Sequence, residues 1–453
     1  MTKRTPTRKS AQNPKHSPTK KPATKKAATP TCVMQAVLSA LTDQENGASL
    51  DLALSKALKT TRDLDDPKDR RRVVQELHAI NRHRARLAWH LGQDNTRVSP
   101  HHLFLAWNAF ESRPEPIGIR ITELDRALLQ RIAARTFADP KMPEATRLEC
   151  PPAFEAPLRA ALGSSFAAET EASLTPAPID LRVNLLKSTV ANARKQLKLE
   201  TIDARPTPFS PWGLRAQPGT NASATAAFRD GLIEFQDEGS QLAALLCDAR
   251  AGQQVMDFCA GTGGKSLALG AAMENRGHLV VCDISEVRLA RAKLRLKRAG
   301  VENAERKHLP AVDDKAMKKL HARFDRVLVD APCSGTGSWR RNPDVRWSTQ
   351  AGNLAELTAL QDKILARAAA FVKPGGRLIY ATCSLLPAEN DERVNEFLRT
   401  HGNFERLDAR EVWCAVARSP WPCDDSPVLR LSPAKHGTDG FFAAVLQRIP
   451  APR

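Results

Sequence analysis

The chain has 453 residues, of which 42% are apolar and 26% charged, so it is long enough for two or three globular domains. Its net charge of +18 favours nucleic acid as the partner, with an anionic membrane surface as the second candidate. The sequence contains no apolar run of membrane-spanning length and no secretory leader pattern. We therefore expect a cytoplasmic protein that does not associate with membranes.

Nine cysteines are spread along the chain, and no two of them have the C-x-x-C spacing that is typical of zinc sites. Several lie inside predicted strands or at their ends. This pattern favours free thiols in a reducing compartment over a disulfide framework, and we expect no metal ion.

The first 30 residues form a distinct segment. They contain nine Lys and Arg, no acid and no apolar periodicity, which predicts a disordered basic tail. Binding of RNA phosphates and simple solubilisation are equally compatible with this composition. The rest of the chain keeps half of the net charge of +18, as an RNA-binding protein requires.

Residues 31–145 carry apolar side chains at helical spacing, which predicts an all-helical domain. The apolar positions of the first helix are Val33, Val37, Leu38 and Leu41. Those of the next long helix are Val73, Leu77, Ile80, Leu87 and Leu91. Six arginines between positions 70 and 86 lie on this second helix, and they favour contact with an RNA backbone.

Residues 146–235 change in character and predict a small α+β domain. Alternating apolar residues at 181–184 and 232–235 predict two strands, and residues 190–197 predict a helix. The stretch 207–221 is rich in Pro and Gly and is predicted to be a loop. Asn184 is a candidate substrate contact, although a single Asn in a strand is more often structural.

Strands and helices alternate from residue 236 to residue 453, which predicts a Rossmann-like, doubly wound parallel sheet. The first two strands are expected at 255–258 and 278–282, followed by helices at 266–273 and 286–299. Two later strands, 324–329 and 377–381, lead into the sequences DAPCSGTG (330–337) and TCS (382–384). Cys333 and Cys383 are thus placed at the carboxyl ends of parallel strands, where such sheets bind ligands.

A glycine-rich turn, CAGTGGK at 259–265, follows the first strand of this sheet. Its glycines let the backbone approach a ligand closely, and the acid that ends the next strand can accept the hydroxyls of a ribose. The order G-x-G-G, rather than the dinucleotide pattern G-x-G-x-x-G, favours S-adenosylmethionine. The predicted cofactor-binding residues are Cys259, Ala260, Gly261, Thr262, Gly263, Gly264, Lys265 and Asp283.

These motifs resemble those of the RNA cytosine-C5 methyltransferases of the Sun/RsmB type. The resemblance covers roughly residue 150 to the end and rests on 257–265, 330–337 and 382–384. Further similar stretches are 180–184, 236–241 and 436–442. The helical segment 31–145 is more weakly similar to the NusB-like RNA-binding domain of that family, mainly through Asp69, Arg70 and the helix after them.

Two positions depart from the family pattern. Gly261 and Thr262 stand where the family often has Ala-Pro, and glycine is compatible with the turn. The acid that would contact the adenine after the third strand is not evident, because 305–310 offers no clear candidate and Asp313 and Asp314 come later. The adenine contact is therefore left unassigned.

The resemblance implies an S-adenosylmethionine-dependent RNA (cytosine-5-)-methyltransferase that acts on ribosomal RNA, with the small subunit favoured. It assigns addition to cytosine C6 to Cys383 and assistance in product release to Cys333. It places Asp330 between the base and the cofactor, which adds Asp330 to the cofactor-binding set. C5 of cytosine is a weak nucleophile, and addition of a thiolate to C6 makes it enamine-like. The residues alone do not decide which cysteine attacks.

Arginines and tryptophans directly follow the first cysteine motif: Trp339, Arg340, Arg341, Arg346 and Trp347. Arginine interleaved with tryptophan is suited to holding an unstacked base. We predict RNA contact for the arginines, whereas base stacking and core packing remain equally open for the tryptophans.

Other functions remain open. The substrate could be transfer RNA, because basic patches report phosphate binding and carry no sequence information. A DNA cytosine-C5 methyltransferase would use only the first cysteine and would leave 382–384 unexplained. A non-catalytic RNA-binding or ribosome assembly factor would not need both cysteines, the acid and the glycine turn. Nothing in the sequence demands more than a monomer.

Overall fold

A computed structural model describes residues 1–2, 30–93, 98–112, 120–310, 315–348 and 353–450. The chain forms two compact units: residues 1–76 with 115–120, and residues 77–114 with 121–453. The predicted basic tail falls almost wholly outside the described residues, as do Asp313 and Asp314. No helix within the described ranges is both long and apolar enough to cross a bilayer.

The first unit is helical. It contains α1 (Pro30–Glu45), α2 (Leu50–Thr60) and the beginning of α3 (Pro67–Arg82). Ser49 caps α2 by accepting the N–H of Leu52, which explains where this helix begins. The predicted apolar face of α1 is confirmed at Val33, Val37 and Leu41, which are all buried.

The second unit begins with a series of helices: α4 (Arg84–Leu91), α5 (Pro100–Phe110), α6 (Glu123–Ala133), α7 (Glu144–Arg147), α8 (Pro152–Leu162) and α9 (Phe166–Ala172). The prediction of one long helix through positions 73–91 is wrong, because the chain breaks at His83 between α3 and α4. The buried carboxylate of Glu149 accepts the N–H groups of Ala85 and Arg86, and so it caps a new helix at that point. The helical character of 31–145 is confirmed, whereas its likeness to a NusB-like domain stays a prediction.

A small four-stranded sheet follows, with the order β2-β3-β1-β4 and antiparallel pairing throughout. Its strands are β1 (Ile179–Val183), β2 (Arg205–Pro206), β3 (Gly213–Ala216) and β4 (Ile233–Phe235). The helices α10 (Val190–Leu199) and α11 (Ala226–Arg229) belong to the same part of the chain. The prediction that 207–221 is all loop is wrong, because Leu214 pairs with Leu181 and both are buried in the core of this sheet.

A larger mixed sheet forms the rest of the molecule, with the order β10-β12-β9-β8-β5-β6-β7 and β11 paired to β12. Its strands are β5 (Gln254–Asp257), β6 (His278–Asp283), β7 (Ala304–His308), β8 (Phe324–Asp330), β9 (Val372–Thr382), β10 (Phe404–Arg406), β11 (Leu429–Leu431) and β12 (Phe441–Arg448). The five strands from β7 to β9 are parallel, as predicted. The remaining strands pair antiparallel, and this edge was not predicted.

Helices cover both faces of the larger sheet. They are α12 (Glu238–Leu245), α13 (Gly264–Ala272), α14 (Glu286–Ala299), α15 (Lys315–Lys318), α16 (Leu354–Ala369), α17 (Asp391–Thr400), α18 (Ala409–Val416) and α19 (Pro433–His436). Successive strand residues enter opposite cores: Val255 packs on one face and Met256 on the other. The Rossmann-like fold class is therefore confirmed.

The chain leaves β5 towards β6 and β7 on one side, and it returns to β8 and β9 on the other. The carboxyl ends of β5 and β8 are consequently a topological switch point, where open α/β sheets leave a crevice for a ligand. Both predicted sites lie at this edge.

Candidate active site

The glycine-rich turn connects β5 to α13 at the switch point. Gly261 and Gly263 have φ values of +56° and +83°, a backbone region that glycine enters without strain. A Cβ on Gly263 would also lie 3.2 Å from the Cβ of Ala292, so α14 packs directly against the turn. A Cβ on Gly261 would meet no atom within 4 Å, because this glycine faces open space.

A cavity of about 830 Å³ opens above the turn. Of the predicted cofactor-binding residues, its wall contains Cys259, Ala260, Gly261, Thr262, Gly264, Lys265, Asp283 and Asp330. Gly263 instead turns towards α14. The apolar part of the wall was not predicted and comes from Phe258, Ile284, Leu309, Leu360 and Ile364. Leu309 and Pro310 occupy the stretch after the third strand, where the adenine contact had been left unassigned.

Asp283 is held at the end of β6 in one orientation. Its Oδ2 accepts the N–H of Gly261 at 2.8 Å, and its Oδ1 accepts the N–H of Ser285 at 2.8 Å. A carboxylate offers about four lone-pair positions, so both oxygens can accept further hydrogen bonds from the cavity side. The acid therefore both fastens the glycine turn and presents acceptors to a polar ligand.

Arg182 reaches the cofactor turn from the small sheet, and the sequence did not single it out. Its Nη1 donates to the carbonyl oxygen of Gly264 at 2.7 Å and also to Oε1 of Gln236. Burial lowers the pKa of Arg182 to about 10, and the nearby charge of Glu234 opposes this effect. Because Gly264 and Gln236 both line the cavity, Arg182 connects the small sheet to the cavity wall.

Asn184, two residues further along β1, has a structural role. Its side-chain amide donates to the carbonyl oxygens of Gly231 and Ala299 at 2.8 and 2.7 Å. It therefore joins the small sheet to the end of α14, and the predicted candidate substrate contact is wrong.

Lys265 and Asp330 form the polar centre of the cavity. The Lys265 Nζ lies 2.5 Å from Asp330 Oδ2 and 5.0 Å from the centre of the Phe441 ring. The lysine side chain is only 5% exposed, whereas that of Asp330 is 34% exposed. The buried cation thus fixes one carboxylate oxygen and leaves the rest of the carboxyl group accessible.

A second acid, Asp257, lies beneath this pair. It is fully buried, its Oδ2 accepts the hydroxyl of Ser266 at 2.6 Å, and its Oδ1 has no hydrogen-bond partner. Burial raises the pKa of Asp257 to about 7, and the charge of Asp330 acts in the same direction. Asp257 can therefore hold a proton at pH values close to neutral.

Cys333 and Cys383 are brought together, although they are fifty residues apart in the sequence. Strands β8 and β9 are parallel neighbours with Asp330 in register with Ala381, and the two Sγ atoms lie 3.5 Å apart just beyond them. Both cysteines are half-buried residues. Asp330 and Pro332 line the cavity immediately before Cys333, so the thiol pair lies beside it.

The two thiols differ in their surroundings. The hydrogen bond with Cys383 raises the pKa of Cys333 well above its ordinary value, and burial and the negative charges of Cys383 and Glu389 act in the same direction. A thiol with a raised pKa stays protonated at neutral pH. Cys333 can therefore donate a hydrogen bond to Cys383 across the 3.5 Å between the two sulfurs.

The loops that carry the cysteines are held against each other by backbone contacts. The N–H of Gly337 donates to the carbonyl oxygen of Cys383 at 2.9 Å, and that of Gly440 donates to the carbonyl oxygen of Gly337 at 2.8 Å. A Cβ on Gly337 would lie 2.3 Å from the carbonyl oxygen of Gly440, so this approach requires glycine. A buried acid, Glu389, also joins the two loops through the serines that follow the cysteines.

The prediction that the arginines after the first cysteine contact RNA is wrong. Arg340 and Arg346 are 6% and 1% exposed, and Arg340 with Arg341 pairs with the buried acids Asp237 and Asp439. Arg346 stacks on Trp339 with 4.7 Å between the guanidinium and the ring centre. Arg340 and Arg346 therefore hold the interior together, and Arg341, whose side chain is 29% exposed, is committed to the same buried acids.

The tryptophans, which were left open, differ in exposure. Trp339 is buried in a cluster with Phe154 and Leu386. Trp347 is half-buried, and its indole N–H donates to the carbonyl oxygen of Asn81 at 2.8 Å.

Two of the predicted RNA-contacting arginines of α3 and α4 instead donate hydrogen bonds within the protein. Arg82 donates to the carbonyl oxygen of Arg340, and Arg86 donates to that of Arg147.

Two family descriptions match the chain. Residues 244–447 match "16S rRNA methyltransferase RsmB/F", and residues 150–222 match the "Methyltr_RsmF/B-like, ferredoxin-like domain". The chain is 33% identical over 277 residues to the probable ribosomal RNA small subunit methyltransferase B of Bacillus subtilis. That alignment covers 61% of this chain and spans about 61% of the length of the relative.

Solved structures share the fold. The crystal structure of PH0851 superposes with a TM-score of 0.75 at 24% identity and covers 94% of this chain and 100% of that one. A methyltransferase homolog protein from Pyrococcus horikoshii has a TM-score of 0.57 at 27% identity, with coverage of 68% and 98%. The predicted fold of an S-adenosylmethionine-dependent methyltransferase is thereby confirmed. Residues 150–222 and 244–447 are thus the ferredoxin-like and the methyltransferase domains of the RsmB/F family of methyltransferases.

Proposed function

We propose that this protein methylates C5 of cytosine in RNA, with small-subunit ribosomal RNA as the favoured substrate, through a covalent adduct between Cys383 and cytosine C6. The observation that carries the proposal is the thiol pair, with Sγ atoms 3.5 Å apart, beside a cavity that contains a paired lysine and carboxylate. A methyl transfer to oxygen or nitrogen would give no role to two adjacent thiols.

The cavity fits S-adenosylmethionine, which supplies the methyl group when it is bound. Its glycine turn is open on the cavity side at Gly261, its polar wall includes Asp283, and its apolar wall can cover an adenine ring. The residues that would hold the cofactor are Cys259, Ala260, Gly261, Thr262, Gly264, Lys265, Asp283 and Asp330. Gly263 contributes by allowing α14 to pack against the turn.

Cys383 is the proposed nucleophile. Its thiolate adds to C6 of the cytosine, the S–C6 bond forms, and electron density moves to C5, which then takes the methyl group. The neighbouring Cys333, whose raised pKa keeps it a thiol, lies 3.5 Å from the Cys383 sulfur and can donate a hydrogen bond to it. The raised pKa of Cys333 supports this division of roles.

Cys333 is proposed to act after the methyl transfer. The hydrogen bond with Cys383 and the charge of its sulfur raise the pKa of Cys333 in the free protein. Once Cys383 is bonded to C6, neither effect remains, and Cys333 becomes more acidic. After Cys333 has released its own proton to solvent, its thiolate can take the C5 proton. The electrons of the C5–H bond then form the C5–C6 double bond as the S–C6 bond breaks, and Cys383 leaves as a thiolate.

Asp330 is proposed to orient the base. Lys265 occupies its Oδ2, and the side chain is one-third exposed at the cavity wall, directly before the cysteine motif. The carboxylate can therefore accept a hydrogen bond from the N4 amino group of a cytosine while Lys265 holds it in place.

The RNA substrate is supported by charge and by the relatives. The chain carries +18 net charges, and α14 presents Arg288 and Arg291 on its exposed side next to the cavity. Phosphate contacts of this kind position a strand without reading its sequence. The Bacillus subtilis relative is named a probable ribosomal RNA small subunit methyltransferase B, which favours that RNA over transfer RNA.

The test is methyl transfer from labelled S-adenosylmethionine to total RNA of cells that lack the gene, followed by fractionation and nucleoside analysis. We expect the label as 5-methylcytidine in small-subunit ribosomal RNA. Label in transfer RNA would keep the chemistry and contradict the substrate. Label at another atom of any nucleoside would overturn the thiol mechanism, and cofactor binding without transfer to any RNA would favour a non-catalytic RNA-binding role.

A further inference from the structure

Glu389 is a fully buried acid behind the thiol pair, and the proposed reaction gives it no role. It ends a short 3-10 helix, Pro387–Glu389, in the loop that follows β9. Its side chain points into the space between this loop and the loop that follows β8. An ionised side chain in the interior is costly unless donors surround it.

Four donors surround the Glu389 carboxylate. Oε1 accepts the N–H of Ser334 at 2.8 Å and the side-chain amide of Gln361 at 3.0 Å. Oε2 accepts the hydroxyls of Ser334 and Ser384. A protonated carboxyl group would have to give up one of these acceptor positions in order to place its own hydrogen, so the arrangement is built for the carboxylate.

The two serines are the residues that immediately follow Cys333 and Cys383. One oxygen atom, Glu389 Oε2, therefore receives a hydroxyl from each cysteine loop. The serine hydroxyls also lie 3.3 Å from each other. Together with the backbone hydrogen bond from Gly337 to Cys383, this shared acceptor holds the two loops, and with them the two sulfurs, close to each other.

The acid itself is held firmly. The phenol of Tyr380 in β9 donates to the Glu389 carbonyl oxygen at 2.7 Å. Gln361 on α16 donates both to Glu389 Oε1 and to the carbonyl oxygen of Pro332, at 3.0 Å each. Glu389 is thus hydrogen-bonded to a strand and to a helix. These contacts restrict its movement and, through its side chain, the movement of both cysteine loops.

We propose that Glu389 is a positioning residue that fixes the distance between the two thiols and places one negative charge behind Cys333. This role rests on the proposed function, because it concerns the same thiol pair, but it makes claims about the thiols that do not require methyl transfer. The groups that face Cys333 are Cys383, Glu389 and Tyr380. Of these, only Glu389 combines a charge with contacts to both loops.

A carboxylate that served stability alone would change folding when it is replaced and would leave the thiols of the folded protein unchanged. The proposed role instead predicts two separate effects on the thiols. Loss of the charge makes Cys333 easier to ionise. Loss of the shared acceptor lets the two sulfurs move apart.

The first test measures ionisation. The rate of Cys333 alkylation by iodoacetamide is followed against pH by peptide mass spectrometry, in the Cys383→Ser protein and in the same protein with Glu389→Gln. We expect the pH at which the alkylation rate is half-maximal to be about one unit lower in the double variant, because a buried negative charge has been removed. Glu396→Gln, at an exposed acid of α17 that pairs with Arg399, is the matched control and should leave the midpoint unchanged.

The second test measures distance. Diamide oxidises two neighbouring thiols to a disulfide: one S–S bond forms, and two protons and two electrons pass to the diamide. We expect the Cys333–Cys383 disulfide to form roughly tenfold more slowly in Glu389→Gln than in the unmodified protein. Glu389→Asp keeps the negative charge but has a shorter side chain. Disulfide formation should therefore be slower, whereas the pH midpoint of Cys333 alkylation should stay as high as it is with Glu389.

Thermal unfolding and S-adenosylmethionine binding identify which variants are folded, and Glu389→Asp replaces Glu389→Gln if the latter does not fold. A folded variant with both an unchanged alkylation midpoint and an unchanged disulfide rate would overturn the positioning role. Neither readout depends on methyl transfer. A protein that methylates no RNA but shows both thiol effects would overturn the proposed function and leave the role of Glu389 intact.

Discussion

Lys265 on α13 and Asp330 at the end of β8 are joined by an ion pair of 2.5 Å, and this contact links the cofactor turn to the cysteine motif. The lysine is buried and the acid is partly exposed. The buried lysine therefore holds the carboxylate of Asp330 in place, and this carboxylate faces the cavity. Several consequences of this arrangement can be measured.

Replacing Lys265 should impair turnover through Asp330. In Lys265→Gln the carboxyl group loses its cation and its fixed orientation, so we expect kcat to fall roughly 10²-fold or more. The matched control is Lys373→Gln, which breaks the ion pair with Asp325 near the start of β8 and β9. The control should retain full activity, and an active Lys265→Gln protein would contradict the proposed orientation of Asp330.

Replacing each cysteine by alanine should stop the reaction at a different step. Cys383→Ala removes the proposed nucleophile, so it should form no covalent RNA complex and transfer no methyl group. Cys333→Ala keeps the nucleophile and loses the proposed base for the C5 proton, so it should accumulate the covalent complex. Denaturing gels of protein mixed with substrate RNA and cofactor distinguish the two. The opposite pattern would exchange the roles.

Arg182 should affect cofactor binding, although it lies in the small sheet. Arg182→Gln leaves the carbonyl oxygen of Gly264 without its charged donor, a loss of about 1.5–3 kcal/mol, which corresponds to a roughly tenfold or larger increase in Kd for S-adenosylmethionine. Calorimetry measures this. Arg194→Gln is the control, because Arg194 on α10 donates to the carbonyl oxygen of Ala204 within the small domain. Equal affinities in the two variants would show that the small sheet does not support the cavity.

Asp257 should make stability depend on pH. Its pKa is raised from 3.8 to about 7 in the folded protein, so between these values the folded state binds more protons than the unfolded state. The free energy of unfolding should therefore fall as the pH rises from about 4 to about 7. The full effect of a shift of about three pH units is on the order of 4 kcal/mol.

Asp257→Asn removes this titration while keeping the shape of the side chain. The difference in unfolding free energy between the original protein and Asp257→Asn should decrease steadily across the same pH range, as measured by denaturant unfolding. Asp325→Asn is a control of opposite sign: against the effect of burial, Lys373 and the N–H of Gln254 lower the pKa of Asp325, so the corresponding difference should not fall as the pH rises. A difference that does not change with pH would show that Asp257 is already ionised at low pH.

The local patterns of the sequence predicted the methyltransferase fold well, because buried parallel strands are continuous apolar runs and their helices keep a strict period. The predicted helix 286–299 coincides with α14. Both cysteines were placed at strand ends, and the parallel pairing of β8 and β9 brings them together. The glycine turn and Asp283 were found in the same way.

The features that the sequence predicted wrongly, or not at all, depend on contacts with residues that are distant in the sequence. Arg346 is buried because Trp339 and Ser173 surround it, and no local pattern distinguishes such an arginine from one on a surface. The break at His83 requires the carboxylate of Glu149, more than sixty residues away. Glu389 could have been suspected only as an acid five residues after Ser384, and its contacts with both loops are visible only in three dimensions.

The most direct measurement is the identification of the residue that becomes bonded to the RNA. The protein is incubated with S-adenosylmethionine and a substrate RNA containing 5-fluorocytidine, whose C5 carries fluorine in place of the proton that must leave. The trapped complex is then digested and mapped by mass spectrometry. We expect a nucleotide bonded to the peptide that contains Cys383. A bond to Cys333, or methylation of the normal RNA by a protein that forms no trapped complex, would contradict it.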